Sequence, residues 1–120
     1  MDLYSEIILD HYKNPHHKGQ LAHPTATVIE YNPTCGDKIT MQIEVKDGKI
    51  TNLAWDGEGC AISQAAASML AEELIGKSAK EVSTLPNEFA TNLLQVPISP
   101  GRIKCALLAL IAAREAAKQS

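Results

Sequence analysis

The chain has 120 residues, enough for one domain with a real core and no need of disulfide or metal staples. A hydrophobic fraction of 45% and a charged fraction of 21% exclude global disorder. The net charge of −3, with both signs interspersed, argues against nucleic acid as the main partner, because phosphate binding needs a concentrated Lys/Arg surface. The longest apolar run, CALLALIAA, is too short to span a bilayer, so no membrane partner is expected. The start, MDLYSEIILDHY, is acidic and amphipathic and lacks the features of a signal peptide. The expected location is cytoplasmic.

Leu3, Tyr4, Ile7, Ile8 and Tyr12 recur at helical spacing and predict a helix over 2–13 with one apolar face, for the core or for a partner. Asn14-Pro15 ends it, and HHKGQLAHPTA reads as an irregular connection. Thr27 to Tyr31 is β-branched and aromatic and predicts a first strand. Ile39, Met41, Ile43 and Val45 alternate with Thr40, Gln42 and Glu44, which predicts a second. KDGK is a hairpin turn, since Asp-Gly tolerates positive φ, and Ile50 to Trp55 follows as a third strand with Trp55 in the core. DGEGC closes that strand. A helix is predicted over Ala61 to Ile75, with Ile62, Ala66, Met69 and Leu70 on one face and Gly76 as its stop. Ser78 to Gln95 predicts two short helices broken at Pro86. Ser99-Pro100 reads as a cap and first position of a last helix, from about Pro100 to Lys118. The expected fold class is α+β: a three-stranded antiparallel sheet with helices on one face, in a single domain over 1–120.

Three cysteines, an odd number in a chain of cytosolic character, argue against a disulfide framework. Free cysteines are usually small buried hydrophobes. The expected elements put these elsewhere: Cys35 in the loop after the first strand, Cys60 between the third strand and a helix, and Cys105 in the first turns of the last helix. Helix N-termini favour a thiolate, the form that binds metal and attacks sulfur. In a meander, the loop after the first strand and the end of the third share one sheet edge, so Cys35 and Cys60 can meet there. Asp37 is the natural fourth group, and Gly36, Gly57 and Gly59 permit close backbone approach. Such a set suits zinc, or an iron–sulfur cluster made labile by its one oxygen ligand. No CxxC pair is present, so spacing leaves a shared site and separate thiols both open, with Asp37 as ordinary turn chemistry in the second case. His11 reads as a packed or capping histidine, and His16, His17 and His23 as solvated loop residues, one of them available as a surrogate ligand. Ser63 and Ser68 have no base at usable spacing, which argues against a hydrolase.

Four segments, LYSEIILDHYKNPHHKG, NPTCGDKITMQIEV, GEGCAISQAAASML and RIKCALLAL, resemble in order the signature segments of the IscU/SufU/NifU N-terminal iron–sulfur assembly proteins. The resemblance covers nearly the whole chain and implies the same three-stranded fold. It implies metal or cluster ligation by Cys35, Asp37, Cys60 and Cys105. The IscU-like branch has a histidine directly before the last cysteine, which takes part in binding. Here Lys104 stands there, and a protonated lysine cannot ligate. Arg102-Ile103-Lys104-Cys105 resembles the SufU branch, whose members bind zinc and accept sulfur from a SufS-type cysteine desulfurase. That branch carries an insertion of about one helix between its second and third cysteines. This chain lacks it, which bears on how a desulfurase would dock.

The implied activity is a sulfurtransferase-like persulfide relay with Cys35 as acceptor, Cys105 as the alternative, and Arg102 and Lys104 beside the anionic sulfurs. Downstream iron–sulfur carriers or apoproteins, and weak self-association, are the further partners implied. A second reading is a scaffold for a transient 2Fe-2S cluster. A third is a zinc-stabilised interaction module without sulfur chemistry.

Overall fold

A computed structural model describes residues 6–95 and 97–120. Its elements are α1 (Glu6–Lys13), β1 (Ala26–Asn32), β2 (Asp37–Lys46), β3 (Lys49–Glu58), α2 (Ala61–Leu74), α3 (Ala79–Ser83), α4 (Asn87–Leu94) and α5 (Ile103–Gln119), the last preceded by a 3-10 turn over Pro100–Arg102. The strands form one antiparallel sheet in the order β1-β2-β3. Asp47 and Gly48 take positive φ in the tight β2–β3 turn, as the Asp-Gly pair requires. The α+β meander expected from the alternation is the observed one.

The pleat sorts the side chains. Ala26, Val28 and Asn32 of β1, and Asp37, Ile39, Met41 and Ile43 of β2, point inward with Leu53 and Trp55 of β3. Against this face pack Ala67, Leu70, Ala71 and Leu74 of α2 and the apolar run of α5 from Leu107 to Ala117. A second cluster of Ile8, Ile62, Ala65, Ala66, Met69, Leu94, Cys105 and Ala106 joins α1, α2, α4 and the start of α5. Helix α2 lies between the two clusters, so every residue from Ile62 to Ala71 is buried rather than one face alone. Its small alanines let neighbouring elements come close.

Other boundaries differ from expectation for local reasons. Strand β2 begins at Asp37 and β3 runs on to Glu58, because Lys38 pairs with Glu58 and Ile39 with Gly57. The Ser99 side chain caps nothing; its carbonyl accepts from Arg102 N–H at 2.8 Å, closing the 3-10 turn, and α5 starts only at Ile103. The connection after α1 is not wholly irregular. Lys18 bridges Trp55 in parallel sense, and the Trp55 indole N–H donates to the His16 carbonyl at 2.8 Å. Leu3 and Tyr4, expected on the apolar face of the first helix, lie outside the described residues. Of the rest of that face, Ile8 is buried while Ile7 and Tyr12 are exposed.

Trp55→Phe removes both core volume and the only indole donor to the His16 carbonyl. It is expected to cost about 1–3 kcal/mol in urea unfolding. Tyr31→Ala, on the exposed outer face, should stay within roughly 0.5 kcal/mol of wild type. Equal effects of the two substitutions would contradict the assignment of faces.

Candidate metal and sulfur site

The residues of Asn32-Pro33-Thr34-Cys35-Gly36-Asp37 turn β1 into β2, with Asn32 paired to Asp37 and the Cys35 N–H donating to the Asn32 carbonyl at 3.2 Å. Gly36 takes φ +72°, which lets the turn close without strain. Cys35 is therefore exposed on the hairpin tip, while the strand pleat turns Asp37 inward to 2% exposure. The pairing of Lys38 with Glu58 carries the end of β3 back to the same edge. There the Cys60 N–H donates to Asp37 Oδ1 at 2.9 Å. Cys60, half-buried, is the N-cap residue of α2.

Gly59, between them, has φ +139°, and a Cβ added there would lie 2.0 Å from Asp37 Oδ1. Only glycine fits this position. The Asp37 carboxylate is thus cradled by backbone on one side, and its second oxygen, Oδ2, is buried with no hydrogen-bond partner among the described residues.

Cys105 closes the site from α5. Its Sγ lies 3.3 Å from Cys35 Sγ across seventy residues of sequence, and the Asn32 amide donates to it at 3.7 Å. One ligand atom each from Cys35, Asp37 and Cys105 falls within 4.8 Å of the others. Cys60 stands outside this tightest group, yet its thiol is close enough to act on Cys105. Cys60 is joined to this edge by its backbone bond to Asp37, and the thiol in contact with Cys35 is that of Cys105.

The expectation that helix-start position activates Cys105 is corrected. Cys105 is fully buried in the second core cluster. Burial first, then the side chains of Cys35, Asp37 and Cys60, push its thiol far above the ordinary value. Arg102 is half-buried and Lys104 exposed. Asn32 was not among the expected site residues, although the alternation of Ala26, Val28 and Asn32 on one face is visible in the sequence.

Two of the remaining polar residues also depart from expectation. Ser68 does meet a base: His11 Nδ1 lies 2.7 Å from its Oγ. The same oxygen accepts from the His16 N–H at 2.8 Å and is fully buried, so it serves as a pin rather than a nucleophile. His16 is not simply solvated, since its Nδ1 contacts Glu72 Oε1. His17 and His23 are exposed.

The chemistry of the donor set fits a thiophilic divalent metal: soft sulfurs, one carboxylate, and a buried carboxylate oxygen that a cation would satisfy. The sequence matches the profile described as NifU-like N terminal domain over residues 3–119. The chain belongs to that family.

Members with curated names include the iron–sulfur cluster assembly scaffold protein IscU of Streptococcus pyogenes, 38% identical over 98% of this chain and 84% of that protein. The zinc-dependent sulfurtransferase SufU of Bacillus subtilis is 35% identical over 88% of this chain and 83% of its own length. In three dimensions, a SUF-system iron–sulfur cluster assembly scaffold protein from Fervidobacterium islandicum superposes with a TM-score of 0.84. It is 27% identical, with 96% of both chains covered. The NifU-like domain thus groups with iron–sulfur cluster assembly proteins of both the IscU and the SufU kind.

Gly59→Ala forces a left-handed φ on a residue with a Cβ and drives that Cβ into Asp37. It is expected to destabilise the protein by about 1–3 kcal/mol in chemical denaturation. Gly101→Ala, with open space around it, is the control and should change stability by no more than roughly 0.5 kcal/mol.

Proposed function

We propose that this chain is a zinc-bound sulfur acceptor in iron–sulfur cluster assembly, with Cys35 receiving persulfide sulfur from a SufS-type cysteine desulfurase. The supporting observation is the gradient of exposure across the three thiols. Cys35 is exposed at a hairpin tip, Cys60 is half-buried, and Cys105 is buried. A persulfide on another protein's cysteine can reach the first and cannot reach the last without opening the core.

Zinc would be held by Cys35, Asp37, Cys60 and Cys105, and when bound it would keep these sulfurs as thiolates despite burial. Lys104, in place of a ligating histidine, leaves no nitrogen donor in this position and favours the SufU-like reading. In the transfer step the Cys35 thiolate attacks the outer sulfur of the donor persulfide. A new S–S bond forms on Cys35, the old one breaks, and the donor leaves as its own thiolate. Asp37, held by the Cys60 N–H, keeps the rest of the site in place while the hairpin tip moves. Lys104 is exposed on the first turn of α5. Exposed Ile7, Leu9 and Tyr12 of α1 supply apolar area for docking.

A scaffold function is the second reading, favoured by the names of several relatives. There the cluster is cargo on the same four residues, built from iron and persulfide sulfur and passed to downstream carriers or apoproteins.

Protein purified without added metal is expected to contain about one zinc per chain. After incubation with desulfurase and cysteine, mass spectrometry should find persulfide on Cys35, lost in Cys35→Ala and retained in Cys105→Ala. A stable visible chromophore on anaerobic reconstitution, with no zinc and with persulfide on Cys105, would establish the scaffold instead. No persulfide on any cysteine would leave an interaction module.

A further inference from the structure

We propose that His11, His16 and Glu72 form a second, separate site for a divalent transition-metal ion, on the side of the molecule where α1 crosses α2. One ligand atom from each of the three lies within 4.8 Å of the other two. They come from three places in the chain: His11 from α1, His16 from the turn after it, and Glu72 from the last turn of α2. The histidines are 57 and 56 residues from the α2 groups they contact, so the fold rather than local spacing makes the cluster.

The site is built, not merely close. Ser68 Oγ is fully buried and engages both histidine segments, through His11 Nδ1 at 2.7 Å and the His16 N–H at 2.8 Å. With hydrogen on Nδ1 directed at Ser68, the Nε2 of His11 keeps its lone pair. This is how a ligating imidazole is usually oriented by an outer partner. The imidazole of His16 presents Nδ1 to Glu72 Oε1, and the two rings stand 4.6 Å apart at 49°. Burial, followed by the charge of His16, lowers the pKa of His11 and favours its neutral, ligating form.

Two imidazole nitrogens and a carboxylate oxygen suit zinc, iron(II), cobalt or nickel, and carry none of the sulfur that marks the cysteine site. A cleft of ≈190 Å³ beside them, lined by Met69, Glu73, Leu93 and Gln95 as well as by His11 and Glu72, leaves room for water in the remaining coordination positions. The side chains of His16 and Glu72 are 41% and 46% exposed, which gives an ion free entry and exit. On binding, the ion takes the place of the hydrogen between His16 Nδ1 and Glu72, and the ring carries its hydrogen on Nε2. The two sites are distinct: Cys60 and Glu72 lie twelve positions apart on α2, about 18 Å along its axis.

The test keeps the cysteine site filled. Protein carrying one equivalent of zinc is titrated with Co2+, which does not displace zinc from thiolates readily. One further equivalent is expected, with weak visible bands and no sulfur-to-metal charge-transfer absorption. His16→Gln and Glu72→Gln, both on exposed side chains, should each lose that equivalent while keeping the zinc and the unfolding midpoint. Cys35→Ser should keep it whatever becomes of the sulfur-acceptor reading. No second equivalent in the wild type, or one that both variants bind unchanged, overturns the site.

Discussion

The Asp37 carboxylate is the constraint around which this end of the molecule is organised. Strand alternation places residue 37 in line with Ile39, Met41 and Ile43, so the charge points into the protein. An ionised carboxylate taken out of water costs several kcal/mol unless it is paired and hydrogen-bonded. One oxygen is satisfied by the Cys60 N–H, which in turn fixes where α2 begins. Gly59 must lack a side chain for that bond to form. The other oxygen has no such partner among the described residues, and the carboxylate lies beside the sulfurs of Cys35 and Cys105. A cation held there by Cys35, Asp37 and Cys105 would supply both the opposite charge and a partner for the second oxygen.

The same geometry divides labour among the thiols. The dipole at a helix N-terminus is worth about 0.3–1 kcal/mol to a nearby negative charge. Burying an ion costs several times more, and Cys105, packed among Ile62, Ala106 and their neighbours, obeys the larger effect. Its thiol is an anchor joining α5 to the sheet edge. Cys35 has the opposite circumstances: it is exposed at the hairpin tip, outside both core clusters, with Gly36 directly after it. The pair touch at 3.3 Å, so whatever moves Cys35 outward opens the site without unpacking the core.

Much of this was legible in the sequence. The alternation from Ile39 to Val45 identified β2, and counted two residues back it already places Asp37 on the inward face, as it places Asn32 with Ala26 and Val28. That the β1–β2 turn and the end of β3 share one sheet edge followed from meander topology. What was not legible depended on partners far away in the chain. The burial of Cys105 needs the second cluster, to which Ile8 and Leu94 contribute from either end of the sequence. Helix α2 was read as one-faced because its alanines and serines carry little hydrophobic signal, though they are buried on all sides. Ser68 seemed to lack a base because His11 is brought to it only by α1 lying across α2.

Helix α2 connects the two polar clusters and gives them opposite characters. At its N-terminus the free N–H groups and the positive end of the dipole face Asp37 and the sulfurs, which are anionic when they ligate. Near its C-terminus the negative end faces His11 and His16, whose ring nitrogens attract or carry positive charge. The sulfurs and Asp37 gather at the end of α2 that favours anions, and the imidazoles with Glu72 at the end that favours cations. Because Cys60 is bonded to Asp37 and Ser68 to both histidine segments, a shift of α2 along its axis would disturb both clusters together. The rigid packing of residues 62–71 between the two cores is what keeps them independent.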